Sequence, residues 1–200
     1  MILDQLQKLD VAISEEIVDL RWPQLTSIML LLSAWWVKNV LFALAAAVHD
    51  VRRRSAPWSA MLVGVATLLA AQAANLLKTV FDRPRPFAQD LWSGLGSLPS
   101  SGAMPSGHAA TAVAGAVALG MLVPRARPAA YALALLVCTS RVYLGVHFAG
   151  DVLAGALLGA STAAGVVIAG RRLLGRRLSA NDTIASDRRR VGPNPMTKKL

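Results

Sequence analysis

The sequence predicts an all-α protein: a polytopic transmembrane helical bundle of five spans, preceded by an N-terminal amphipathic interfacial helix. Three observations carry that prediction. The 200 residues are 54% hydrophobic and only 16% charged, with a mean hydropathy of +0.48, whereas a soluble domain carries about 25% charged residues. Five stretches approach the ~20 apolar residues needed to cross a hydrocarbon core of ~30 Å. The basic residues collect in the connections between those stretches and in the tail.

Residues 1–24 form the first element. Leu3, Leu6, Leu9, Ile13, Ile17 and Leu20 recur at helical spacing among the acids Asp4, Asp10, Glu15, Glu16 and Asp19, the pattern of an amphipathic helix at a membrane surface. With those acids and no apolar h-region, the segment does not read as a cleaved signal peptide. A transmembrane domain follows over 25–170, with spans at 25–48, 58–80, 108–123, 128–146 and 149–170. Lys38 lies inside the first span and either snorkels or faces the bundle interior. The third span is short. A polar, Pro-, Gly- and Ser-rich insertion at 81–107 is long enough inside a compact bundle to be read as functional. The last segment, 171–200, has nine Lys/Arg against two Asp and reads as a disordered cytoplasmic tail.

The net charge of +10 does not indicate a nucleic-acid partner, because the basic–aromatic interleaving of a single-strand binder is missing. Its distribution instead orients the bundle. Arg52, Arg53 and Arg54 follow span one, Arg125 and Arg127 follow span three, and "RRLLGRR" follows span five. With five spans these segments share one side, which the positive-inside rule makes cytoplasmic. The N-terminus, the 81–107 loop and the turn near 147–149 then face outward from the cell membrane. Cys138 is the only cysteine, so no intrachain disulfide forms, and within an apolar run it reads as a small buried hydrophobe. Gly145, Gly150, Gly155 and Gly159 read as small-residue packing faces.

Three polar blocks fall on that outer side. "KTVFDRPRP" supplies Lys78 and, after six residues, Arg85-Pro86. "PSGH" runs from Pro105 to His108. "SRVYLGVHFAGD" supplies Ser140-Arg141, His147 and Asp151. Each has a plain explanation alone: a snorkelling belt, a turn with a helix cap, a structural ion pair. Together, eleven fixed positions in three ordered blocks arise by chance about once in 10⁷, so a site is the better reading.

The chemistry of that site is phosphoryl transfer. Lys78, Arg85 and Arg141 offer cations, two of them able to bind phosphoryl oxygens bidentately. Ser106 adds a hydroxyl, and the amides of Gly107 and His108 open a helix N-terminus, a ready anion site. Asp151 lies four residues beyond His147, on the same helical face, and orients the ring so that its other nitrogen acts as nucleophile. His108 protonates the leaving oxygen and later activates water. The three cations neutralise the developing charge, so neither a metal nor a cofactor is expected.

Lys-x6-Arg-Pro, Pro-Ser-Gly-His and Ser-Arg-x5-His-x3-Asp resemble the three-part signature of the type 2 phosphatidic acid phosphatase superfamily, over about residues 25–170. The resemblance implies a metal-independent lipid phosphatase whose helical core is shared with vanadium haloperoxidases and glucose-6-phosphatase. It implies His147 as nucleophile, Asp151 as its partner and His108 as acid/base, with Lys78, Arg85, Ser106, Gly107 and Arg141 on the phosphoryl group. Family members often have six spans, against the five predicted here. A small chain with an outward-facing site fits undecaprenyl diphosphate best as substrate, yielding undecaprenyl phosphate for cell-wall synthesis. Phosphatidylglycerophosphate, phosphatidic acid and lipid A are the alternatives. A haloperoxidase would be soluble, and a transporter or structural membrane protein has no need of His108, His147 and Asp151 together.

Overall fold

The computed structural model describes residues 2–54 and 56–190, with side chains from 4 to 173. Helices α1 (Ile2–Val18), α2 (Pro23–Leu32), α3 (Trp35–Arg52), α4 (Trp58–Phe81), α5 (Gly107–Leu122), α6 (Arg127–Tyr143) and α7 (Ala149–Arg190) follow in order, with short 3₁₀ turns at Pro86–Gln89 and Pro124–Ala126. Among the described residues there is no strand.

Every predicted apolar stretch is helical, but the span count changes. Among the described residues, two helices qualify by length and composition to cross a membrane, Trp58–Gln89 and Ala149–Leu173, or three if the pair Pro23–Leu32 and Trp35–Arg52 is one broken span. That pair bends by 57° at Ser33–Ala34, where the sequence predicts one continuous span. Helices α5 and α6 have 16 and 17 residues, so at ~1.5 Å per residue they extend roughly 24 and 26 Å. Both fall short of a ~30 Å core. The count of five is not reached.

The tail also differs. The polar composition predicts disorder from 171, yet α7 continues as helix to Arg190. Extending an existing helix avoids the cost of a new nucleus, and this stretch is rich in Arg, Leu and Ala, which are good helix formers. Residues 191–200 of the predicted tail lie outside the described residues. The chain divides into two compact units, 1–167 and 168–200, and the candidate site lies wholly within the first.

Polarity is arranged inside out. Lys38, Lys78, Arg85, Arg141, His147 and Asp151 are buried, while Leu68, Leu76, Leu135, Leu153 and Leu157 face outward. In water that would be a severe liability; in lipid it is what an integral membrane protein requires. Helix α1 follows the same rule. Its apolar Leu6, Leu9 and Ile13 are exposed, whereas Ser14 is fully buried, so its polar stripe is the one docked against the protein.

The core is built from small residues. Ala66, Ala70 and Ala74 of α4 pack with Ala110, Ala114 and Ala118 of α5, which lets backbones approach closely. A Cβ on Gly155 or Gly159 of α7 would run into the α5 backbone at Ser106 and Ala110. These two glycines therefore set the distance between the helices carrying His108 and Asp151.

Candidate active site

Each block owes its position to local chemistry. Helix α4 ends because Asp82 adopts a left-handed conformation, with φ and ψ both 37°, and Pro84 and Pro86 prevent it from resuming. The chain turns sharply there, and Arg83 and Arg85 point back into the bundle. Ser106 is the N-cap of α5, its hydroxyl accepting from the Ala109 amide at 3.5 Å. The Ser106 amide donates to the Asp151 carbonyl at 2.9 Å, joining the starts of α5 and α7. His147 lies in the tight connection between α6 and α7, where Gly145 takes a φ of +70° that other residues seldom tolerate.

The structure brings the predicted residues to one end of the bundle. Arg85 is central: its Nε donates to Ser101 O at 2.8 Å, Nη1 to Val146 O at 2.7 Å, and Nη2 to Gly102 O at 3.2 Å. Lys78 Nζ shares that Gly102 carbonyl at 2.8 Å. Arg141 donates from Nη1 to Ser33 Oγ, while its buried Nε has no partner. His108 and Arg141 line one cavity of about 320 Å³ with Ser33, Trp35 and Ser97. The His108 ring meets Trp35 edge-on at 5.2 Å. A Cβ on Gly107 would meet nothing within 4 Å, so there is open space beside the start of α5.

The His147 tautomer follows from its neighbours. Arg85 Nη1 lies 3.2 Å from His147 Nε2, and a guanidinium can only donate. Nε2 must therefore present its lone pair, which leaves the proton on Nδ1. Nδ1 lies 3.5 Å from Asp151 Oδ2, within ion-pair range but too poorly aligned for a hydrogen bond. Burial above all pushes the His147 pKa down to about 3, against an opposing pull from Asp151, so the ring is neutral at neutral pH. The Arg85 guanidinium stays charged.

Sequence reasoning missed the support behind Asp151. Its Oδ2 accepts from the Phe148 amide at 2.9 Å, which is one half of a capping box on α7. Its Oδ1 accepts from Arg83 Nη1 at 2.8 Å, and Arg83 Nη2 pairs with Asp10 of α1 at 2.8 Å. Asp10 also accepts from the Gly150 amide at 2.7 Å, and Ser14 from the Ala149 amide at 2.9 Å. Helix α1 thus caps the start of α7. The available signal was the pair Asp10 and Ser14, one turn apart on one face of an amphipathic helix. Lys38 is also at this end, fully buried, with Nζ donating to Trp35 O at 3.2 Å and lying 4.5 Å from the Trp35 ring centroid.

The cations divide into two kinds. Arg83 is neutralised by two carboxylates. Lys78, Arg85 and Arg141 hydrogen-bond to carbonyls, hydroxyls or a neutral imidazole, so no carboxylate cancels their charge directly. Buried positive charge without a direct counter-ion is costly, and it favours the approach of an anion. Among the described residues no group of three or more His, Cys, Asp or Glu could hold a metal ion.

An α-helical membrane bundle with this constellation at one end defines a class, and the comparisons agree. The PAP2 superfamily model matches residues 59–173, and the chain belongs to that superfamily. It is 39% identical over 126 residues to the decaprenylphosphoryl-5-phosphoribose phosphatase of Mycolicibacterium smegmatis, covering 62% of this chain and 63% of that one. It is 33% identical over 108 residues to the lipid A 1-phosphatase of Rhizobium johnstonii, covering 52% of this chain and 44% of that one. The chain thus spans less than two thirds of either curated relative. The fold is similar to the transmembrane PAP2-type phosphatidylglycerolphosphate phosphatase of Bacillus subtilis, with a TM-score of 0.67 and 30% identity over 81% of this chain and 84% of that one.

Proposed function

We propose that this chain is an integral membrane lipid phosphatase that works through a phosphohistidine. One observation carries the reading: the His147 Nε2 lone pair faces the Arg85 guanidinium at 3.2 Å, with Asp151 behind Nδ1. A phosphoryl group arriving among Lys78, Arg85 and Arg141 draws Arg85 off Nε2 and leaves the nucleophile free. Nε2 then bonds to phosphorus as the bond to the leaving oxygen breaks, and His108 gives that oxygen a proton. Water attacks the phosphohistidine next, yielding a proton to His108, and inorganic phosphate leaves. Ser106 and the Gly107 and His108 amides complete the phosphoryl cradle, and the cations do the work a metal would otherwise do.

The substrate carries its phosphate on a long lipid. Undecaprenyl diphosphate is the first reading; a polyprenylphosphoryl sugar phosphate is the second, favoured by the 39% identity to the mycobacterial enzyme. Phosphatidylglycerophosphate, phosphatidic acid and lipid A complete the panel. Phosphate release by the purified protein in detergent and EDTA, measured on each lipid, tests the reading; no release from any of them overturns it, and loss with EDTA overturns metal independence. The site faces the extracytoplasmic side of the cell membrane in this reading. In a Cys138→Ala background, Ser97→Cys should react with an impermeant thiol reagent in intact cells and Ala56→Cys should not.

A further inference from the structure

At the other end of the bundle a second cavity, of about 630 Å³, opens between the last turn of α3 and the connection joining α5 to α6. Arg52, Arg53 and His49 from α3 and its end, and Arg125 from the connection, line it over an apolar floor that includes Ala45 and Val123. The arginines are exposed and His49 is half-buried. Among the described residues no carboxylate lines it. Asp50, in the same turn of α3, is buried and accepts from the Ala60 amide at 3.0 Å. Arg127 is also otherwise engaged, donating to Gly120 O at 3.3 and 3.1 Å.

Two simpler explanations account for part of this. Basic residues suit a helix C-terminus, which explains Arg52 but not Arg125 on another element. A bias of positive charge to one side places arginines on that side but does not gather them around one concavity. What remains is a cleft with three guanidiniums at its rim, apolar contact below and, among the described residues, no carboxylate in its lining. Phosphate is the anion that guanidiniums match best, and an apolar floor at a helix end suits a ligand that is also apolar. The α5 helix separates this cleft from His108 by roughly 24 Å, so one ligand cannot occupy both sites.

We propose that this cleft binds the phosphate-bearing headgroup of an anionic phospholipid at the membrane surface opposite the active-site end, holding the end of α3 against the α5–α6 connection. A ligand that binds only the folded state raises its stability. The test uses the full chain in nanodiscs of phosphatidylcholine alone or with about 30 mol% phosphatidylglycerol. The wild type should melt higher by about 4 °C or more in the anionic discs. The triple variant Arg52→Gln/Arg53→Gln/Arg125→Gln should lose at least half of that increment, whereas Arg171→Gln/Arg172→Gln, a control for diffuse charge, should keep it. The single reversal Arg125→Glu provides an independent disruption that should also shrink the increment. Inorganic phosphate at about 10 mM in phosphatidylcholine discs should not reproduce it. Equal increments in wild type and triple variant, or a full shift from inorganic phosphate alone, would overturn the proposal.

Discussion

At the end that carries His147, Lys78, Arg85 and Arg141 are buried, and backbone carbonyls and one hydroxyl hold them in place. At the opposite end Arg52, Arg53 and Arg125 are exposed around an open cleft. Among the described residues neither set makes a direct ion pair with a carboxylate, but their settings differ. The fold holds the buried cations in place, so in the proposed mechanism only the contact between Arg85 and His147 has to open, close to the preorganised condition for electrostatic catalysis. The exposed ones are solvated and flexible, which suits retention of a headgroup and not chemistry. The presence of basic residues does not separate a catalytic anion site from a surface one. What separates them is burial with the charge left uncancelled.

The sharpest way to break this comparison is to remove the nucleophile. His147→Ala should leave an inserted, folded protein whose phosphate release drops by about 10⁴-fold or more. Near-normal activity would sink the mechanism. Asp151→Asn should cost about 10³- to 10⁴-fold in kcat, by analogy with the carboxylate of a catalytic triad. His108→Ala should lose about 10²- to 10⁴-fold on lipid substrates, and far less on a substrate with an activated leaving group that needs no proton.

Next in size is the support behind Asp151. Arg83→Gln and Asp10→Asn should each lower kcat by about 10- to 100-fold with little change in KM. Because both act through one chain of contacts, the double variant should lose no more than the worse single one. Additive losses would mean that the two residues act separately.

Titration gives a smaller effect. His147 is neutral in the folded protein, its pKa pushed down to about 3 by burial, whereas an unfolded histidine titrates near ~6.5. Below that value the unfolded chain takes up a proton that the native ring refuses. Stability should therefore be full above pH ~6.5 and fall as pH drops toward 3. The thermal midpoint in detergent should drop by several degrees between about pH 7 and 4.5, and the slope should be flatter in His147→Gln. The smallest change is expected from the C-terminal segment. Every proposed catalytic group lies at or before Asp151, so truncation after Arg177 should leave detergent activity within about twofold.

Much of the site was legible because its chemistry is local. Lys78 and Arg85 flank a proline-broken helix end, Ser106 caps a helix, and His147 and Asp151 lie one turn apart. Such spacings are imposed by backbone geometry and survive in any packing of the chain. The helical class was equally readable, since an apolar chain in lipid must satisfy its backbone hydrogen bonds within each segment or close into a barrel. Residues joined only through space were not readable. Arg83 and Asp10 meet across 73 positions and matter because α1 docks with its polar stripe inward, an orientation that depends on the solvent outside the helix and on the α7 amides beneath it. The break at Ser33–Ala34 has no Pro or Gly to announce it; it coincides with the contacts of Ser33 with Arg141 and of Trp35 with His108. The number of spans likewise depends on helix ends and bends. Hydropathy integrates over a window and cannot locate these, whereas hydrogen bonds between distant segments set them residue by residue.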